Sequence, residues 1–198
     1  MIRWTTIILF FFVGVNLIQA QGISEQQTSV RLESVQADFI QEKQLAILAR
    51  PLLSKGRFIF QAPDSLRWEY FSPIRTVLLM HDGRTRKYVQ HGETFVEEQG
   101  MGVDAMQIVL QEITGWLDGE IADTPTFQAH VKENKLIILT PREAALSKII
   151  SSIELKLLDR TGLMESVTLY EGADSLTRMV FSAAILNEKI PAATFTEP

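Results

Sequence analysis

Three histidines, His81, His91 and His130, are the side chains best able to hold a metal or exchange a proton near neutral pH. They are scattered at or near the ends of expected strands, and no two stand at a ligand-pair spacing. No metal site is expected. The chain has no Cys, which removes thiolate ligands, Cys nucleophiles and disulfides together. The carboxylates Glu97-Glu98 and Asp118, Glu120 are paired in sequence. Adjacent strand residues point to opposite faces, so these groups are expected to be solvated. There is no Gly-x-Ser-x-Gly elbow, no phosphate loop and no His-Glu-x-x-His pair. Neither an enzyme nor a cofactor is expected.

The remaining candidate chemistry is apolar. Phe58, Phe60, Leu66, Trp68 and Tyr70 are large, close in sequence and placed on faces that hairpin pairing would merge. Phe39, Val77 and Leu79 extend the set. One reading is an ordinary packed core. The other is an apolar cavity for an acyl chain, because a curved sheet of about eleven strands has more concave surface than its own side chains readily fill.

The elements that would position this set are strands. Short runs with period-two alternation recur between turn residues. Val35, Ala37 and Phe39 share one face of the first clear strand. Gly56, Phe58 and Phe60 share a face of the next, and Leu66, Trp68 and Tyr70 of the one after Pro63-Asp64. Val77 to Met80 is a continuous apolar strand, and Asp82-Gly83 is a strong hairpin turn before Tyr88-Val89. His91-Gly92 turns the chain into Phe95-Val96. Later strands cover 127–131, 136–139, 153–157, 167–170 and 177–183. Between them the period changes. Met106, Val109, Leu110, Ile113, Trp116 and Leu117 recur at helical spacing, with Asp104 placed to cap the start and Gly119 to stop the end. A weaker helix is expected at 24–34. Ten or eleven sequential strands and one amphipathic helix predict a single, strongly curved antiparallel sheet or partly closed barrel.

The first residues read as an export signal. Arg3 is followed by an apolar run from Ile7 to Val15 and by Ile18-Gln19-Ala20, a small-residue exit. The run is shorter than the roughly 20 residues a spanning helix needs. Residues 1–20 are expected to be removed, leaving one domain over 21–198, starting at Gln21. The full chain has a formal net charge of −5, and the domain without Arg3 is more acidic still. That balance argues against nucleic acid, whose affinity comes from phosphate neutralisation. It argues equally against a general anionic-membrane binder. The cluster Arg84-Thr85-Arg86-Lys87 is expected to be a solvated strand edge.

Specific residues now resemble a known family. Phe39-Ile40-Gln41-Glu42-Lys43 is similar to the Phe-x-Gln opening strand of the periplasmic lipoprotein carriers, the LolA-like proteins. The segment from Gly56-Arg57-Phe58 through Ala62-Pro63-Asp64 to Trp68-Glu69-Tyr70 looks like their central signature. Pro73 and Asp82-Gly83 continue it, and Leu139-Thr140-Pro141 and Phe195-Thr196-Glu197-Pro198 fit the later strand and the chain end. The resemblance implies an unclosed β-barrel of about eleven strands. It implies a helical lid, here Met106, Leu110, Ile113 and Trp116, over the apolar cavity. It implies a monomeric periplasmic carrier that takes acylated lipoproteins from an inner-membrane transporter to an outer-membrane acceptor. Two departures stand out. Well-studied carriers have an Arg just before the signature proline, tying the lid to the barrel; here it is Ala62, with Arg67 nearby. The extra C-terminal segment of some carriers has no counterpart after Pro198. These departures open a second reading, a carrier of another acylated envelope lipid or glycolipid. A third is a lipid-sensing regulatory module, a use to which the same fold is put in envelope-stress sensors.

Overall fold

The computed structural model describes residues 32–98, 124–158, 163–172 and 175–198. They form one antiparallel sheet of eleven strands: β1 (Ser34–Gln44), β2 (Leu52–Gln61), β3 (Ser65–Ser72), β4 (Thr76–His81), β5 (Arg84–His91), β6 (Thr94–Glu98), β7 (Phe127–Val131), β8 (Leu136–Pro141), β9 (Ser152–Leu157), β10 (Met164–Glu171) and β11 (Ser175–Leu186). The order in the sheet is β6-β5-β4-β3-β2-β1-β11-β10-β9-β8-β7. Two meanders, β1 to β6 and β7 to β11, are thus joined by one long-range seam between β1 and β11. The outermost strands, β6 and β7, do not pair with each other, so the barrel is unclosed.

Turn chemistry sets the meanders. Asp82 and Gly83 both take positive φ, at 50° and 69°. That is the backbone a two-residue hairpin turn requires. The seam is fixed by Asn187, whose Oδ1 accepts from the Glu33 N–H at 2.9 Å while its own N–H donates to Ser34 O at 2.9 Å. The Ser34 hydroxyl donates to Glu188 O at 2.6 Å. Ser34 therefore opens a strand, and Leu32 and Glu33 before it are not helical. The helix expected at 24–34 does not reach its expected end. Residues 24–31 of that helix, the signal at 1–20 and the lid face at Met106, Leu110, Ile113 and Trp116 lie outside the described residues.

Strand pleat sorts the side chains. The main core gathers Val35, Phe39, Phe58, Phe60, Leu66 and Trp68 from the first meander with Phe127, Leu139, Ile153, Leu155, Val167 and Met179 from the second. A smaller cluster, Ile59, Ile190 and Phe195, lies on the other face, where the chain after β11 returns as a 3-10 turn at Ala192–Phe195 against β3 and β4.

Candidate binding cleft

Cross-strand register assembles the aromatic stripe. Phe58 pairs with Trp68, Phe60 with Leu66 and Gly56 with Tyr70. Across the next pair, Trp68 faces Leu78 and Leu66 faces Met80. The rings interlock edge to face, the geometry aromatic quadrupoles prefer. Phe39 and Tyr70 meet at 5.2 Å and 85°, Phe58 and Trp68 at 5.5 Å and 81°. Phe39, Phe58, Phe60, Leu66, Trp68 and Tyr70 therefore share one face, as the alternation predicts.

Val77 and Leu79 do not share it. Their partners in β3 are Glu69 and Arg67, on the opposite face, and it is Leu78 and Met80 that join the stripe. A continuous apolar run has no alternation from which its inward side could be read. Here both sides are covered, because Val77 and Leu79 are also buried.

A cleft of about 220 Å³ opens on the stripe face. Its apolar wall is Trp68, Leu78, Ile153, Val167, Leu169 and Met179; its polar end is Gln41, Lys43, Thr76, Lys87, Glu171 and Thr177. Tyr70 sits at the junction. Of the eight cavity residues expected from sequence, only Trp68 and Tyr70 line this cleft. Phe39, Phe60 and Leu66 are packed in the core beneath it. Phe58 lines a separate small gap of about 30 Å³ with Leu163, Met164 and Phe181. Four of the six wall residues come from β9 to β11. The alternation of Ile153 with Leu155 and of Thr177 with Met179 carried that signal, but not which strands they would face.

The polar end is internally paired. Lys43 Nζ lies 3.0 Å from Glu171 Oε2, and the Thr177 hydroxyl donates to the same oxygen at 3.2 Å. Lys87 Nζ pairs with Glu98 at 2.5 Å. The Tyr70 hydroxyl donates to Gln41 Oε1 at 2.7 Å. Burial pushes the Tyr70 phenol up to about 12, partly offset by the Trp68 indole N–H nearby. Trp68 Nε1 is buried and makes no hydrogen bond of its own.

The phenol gives a pH signature. Its folded value lies above the ordinary 10. The neutral ring therefore stabilises the fold fully below pH 10, and this contribution is lost as pH rises through about 12. Urea midpoints taken from pH 9 to 11.5 are expected to fall by the equivalent of roughly 2 kcal/mol more in the wild type than in Tyr70→Phe. Parallel profiles would show that Tyr70 ionises as freely in the folded state as in the unfolded one.

Arg67 lies on the far side of the sheet. It pairs with Glu69 at 2.8 Å, and its guanidinium donates to Thr194 O at 3.2 Å and Glu197 O at 2.6 Å. It therefore holds the C-terminal segment on the convex face. Among the described residues no cluster of three or more His, Asp or Glu could hold a metal. What the concave face offers is a graded surface, apolar at depth and polar at one end, suited to holding an amphiphile.

The family model for the outer membrane lipoprotein carrier protein LolA matches residues 30–197. The chain belongs to the LolA family. That match takes in every strand of the sheet and the C-terminal 3-10 turn. No curated protein matches the sequence. Solved structures similar to this LolA-family chain include a DUF1329 family protein from Desulfovibrio piger, 11% identical, with TM-score 0.46 over 83% of this chain and 90% of that one. They also include a LolA superfamily protein from Nitrosomonas europaea, 11% identical, with TM-score 0.40 over 84% and 91%. A third is the MucA/MucB complex of Pseudomonas aeruginosa, 16% identical, with TM-score 0.47. There the match covers 82% of this chain and only 54% of the other.

Proposed function

We propose that this LolA-family protein is a non-enzymatic periplasmic carrier that shields the acyl chains of lipoproteins on their way from the inner to the outer membrane. Family membership supports the class of cargo. The single observation that carries the reading is the cleft with an apolar wall and a polar end on the concave face. Each CH₂ of an acyl chain costs about 0.8 kcal/mol to keep in water. A groove that buries the chain while leaving a polar end for its head lowers that cost without a covalent bond. Removal of residues 1–20 on export, a gate formed by the amphipathic helix at 104–119, and hand-over between an inner-membrane transporter and an outer-membrane acceptor complete the proposal.

A second reading, carriage of a smaller acylated envelope lipid, is favoured by the size of the cleft. Its volume of about 220 Å³ lies below the roughly 300–1,000 Å³ of ordinary ligand pockets. Native mass spectrometry of protein purified from periplasm distinguishes the two by the mass of the co-purified cargo.

Substitution tests the cleft itself. Leu169→Trp, which fills the cleft from its wall, is expected to weaken uptake of a fluorescent fatty-acid probe at least about tenfold with the melting temperature held. Phe60→Ala, in the packed core beneath, is expected to cost about 3–5 kcal/mol of stability and to affect uptake less. A wild type that binds no apolar probe would sink the carrier reading.

A further inference from the structure

The β1–β2 hairpin carries apolar side chains that neither the core nor the cleft uses. Ile47, at its tip, is 89% exposed, and Leu48, Leu52 and Leu53 are exposed as well. Register places Leu52 opposite Lys43 on the cleft face and Leu53 opposite Glu42 on the convex face. The end of the hairpin is thus apolar on both faces. A strand that serves one core needs only one apolar face. The β3–β4 turn stands beside it, because Lys55 pairs with Ser72, and it adds exposed Phe71 and Ile74. Single exposed apolar residues are ordinary; a contiguous group at one end of a molecule is not.

The two turns are also distinct in charge. No acidic residue occurs from Leu45 to Lys55 or from Phe71 to Arg75, in a chain whose formal net charge is −5. Arg50 and Lys55 are exposed there. Two acidic groups on the neighbouring strand ends each have a cationic neighbour, Glu42 facing Arg178 across the seam and Glu171 bonded to Lys43. The polar end of the cleft, at Lys43 and Thr76, lies at the strand ends next to these turns.

We propose that this end of the sheet docks on the surface of an anionic lipid bilayer, with the 45–53 hairpin inserted among the headgroups and Arg50 and Lys55 against the phosphates. A protein groove, or a second copy of this chain, would cover one face of the hairpin. The interfacial region of a bilayer surrounds it and accepts apolar side chains from both faces. The overall acidity of the chain argues against adhesion through its whole surface, and it leaves the two acid-free turns as the part best able to approach the membrane. Docking there would bring the polar end of the cleft beside the lipid surface. The proposal goes beyond the cargo reading and needs no ligand in the cleft.

The test uses the chain from Gln21, which keeps every strand and lacks the apolar run at 7–15. Its cosedimentation is measured with vesicles of phosphatidylcholine alone and of phosphatidylcholine with phosphatidylglycerol. Binding is expected to the anionic vesicles and to weaken with salt. Ile47→Asp is expected to weaken it at least about tenfold with an unchanged melting temperature. The charge reversal Arg50→Glu with Lys55→Glu is expected to do the same. Val131→Asp, at an exposed position on the opposite end of the sheet, is expected to leave it unaltered. Each of four results would overturn the proposal: no binding to either vesicle, equal binding to both, an Ile47→Asp variant that binds as the wild type does, or a wild-type dimer that Ile47→Asp dissociates.

Discussion

Gly56→Ala is expected to destabilise the fold by about 3 kcal/mol or more, enough to remove much of the stability of an ordinary domain. A Cβ at this position would run into the backbone carbonyl oxygen of Glu69 and into the ring of Phe39. The ring has nowhere to retreat, since it packs against Trp68 and Tyr70 at centroid distances of 5.2 Å. The carbonyl belongs to the neighbouring strand and cannot turn away without opening the β2–β3 ladder. Glycine is thus the space into which Phe39 folds. Urea denaturation followed by circular dichroism measures the effect. A midpoint within the equivalent of 1 kcal/mol of wild type would mean that the two strands separate there more easily than the packing implies.

Glu69→Ala is expected to cost about 3–5 kcal/mol, the scale for removing one partner from a buried ion pair. The Glu69 and Arg67 side chains are only 10% and 11% exposed, and Glu69 also holds Arg75 at 2.8 Å. Removing the carboxylate strands the Arg67 charge, which still has to hold the Thr194 and Glu197 carbonyls. Hydrogen exchange at 192–197 is therefore expected to rise in Glu69→Ala. Replacing the pair together, Arg67→Met with Glu69→Leu, is expected to recover most of the loss, because no charge then remains buried. Arg75→Ala, at a side chain 46% exposed, is expected to change stability by about 1 kcal/mol or less. A double variant no more stable than Glu69→Ala would show that the tail, not the stranded charge, dominates the cost.

The strand content was legible because one face of most strands is dry and the other wet. Leu66, Trp68 and Tyr70 alternate with Arg67 and Glu69, and hairpins of known turn type place neighbours in sequence side by side. That reasoning stops where both faces are covered, as at Val77 and Leu79. It stops again at the seam. Nothing near Phe39 announces that Phe181 will be its cross-strand partner in β11. For the same reason the apolar alternation in β9 and β11 did not reveal that Ile153 and Met179 would share a cleft with Trp68 and Leu78. Lys43 and Glu171 are ordinary solvated charges in the sequence and become an ion pair only when the seam closes. The role of Arg67 was also hidden, since its partners are backbone carbonyls more than a hundred residues away.

The seam has a consequence for biogenesis. Strands β1 to β6 can zip in order as the chain emerges, each beside its predecessor. The outer edge of β1, however, waits for β11, whose partner residues lie roughly 130 to 150 positions later. Until then a long ladder of unpaired N–H and C=O groups, bearing exposed Ile40, is open to any other extended chain. The vulnerable interval in the life of this protein is therefore its synthesis. Unfinished chains, more than finished molecules, are the species that need a holding partner to keep one β1 from finding another.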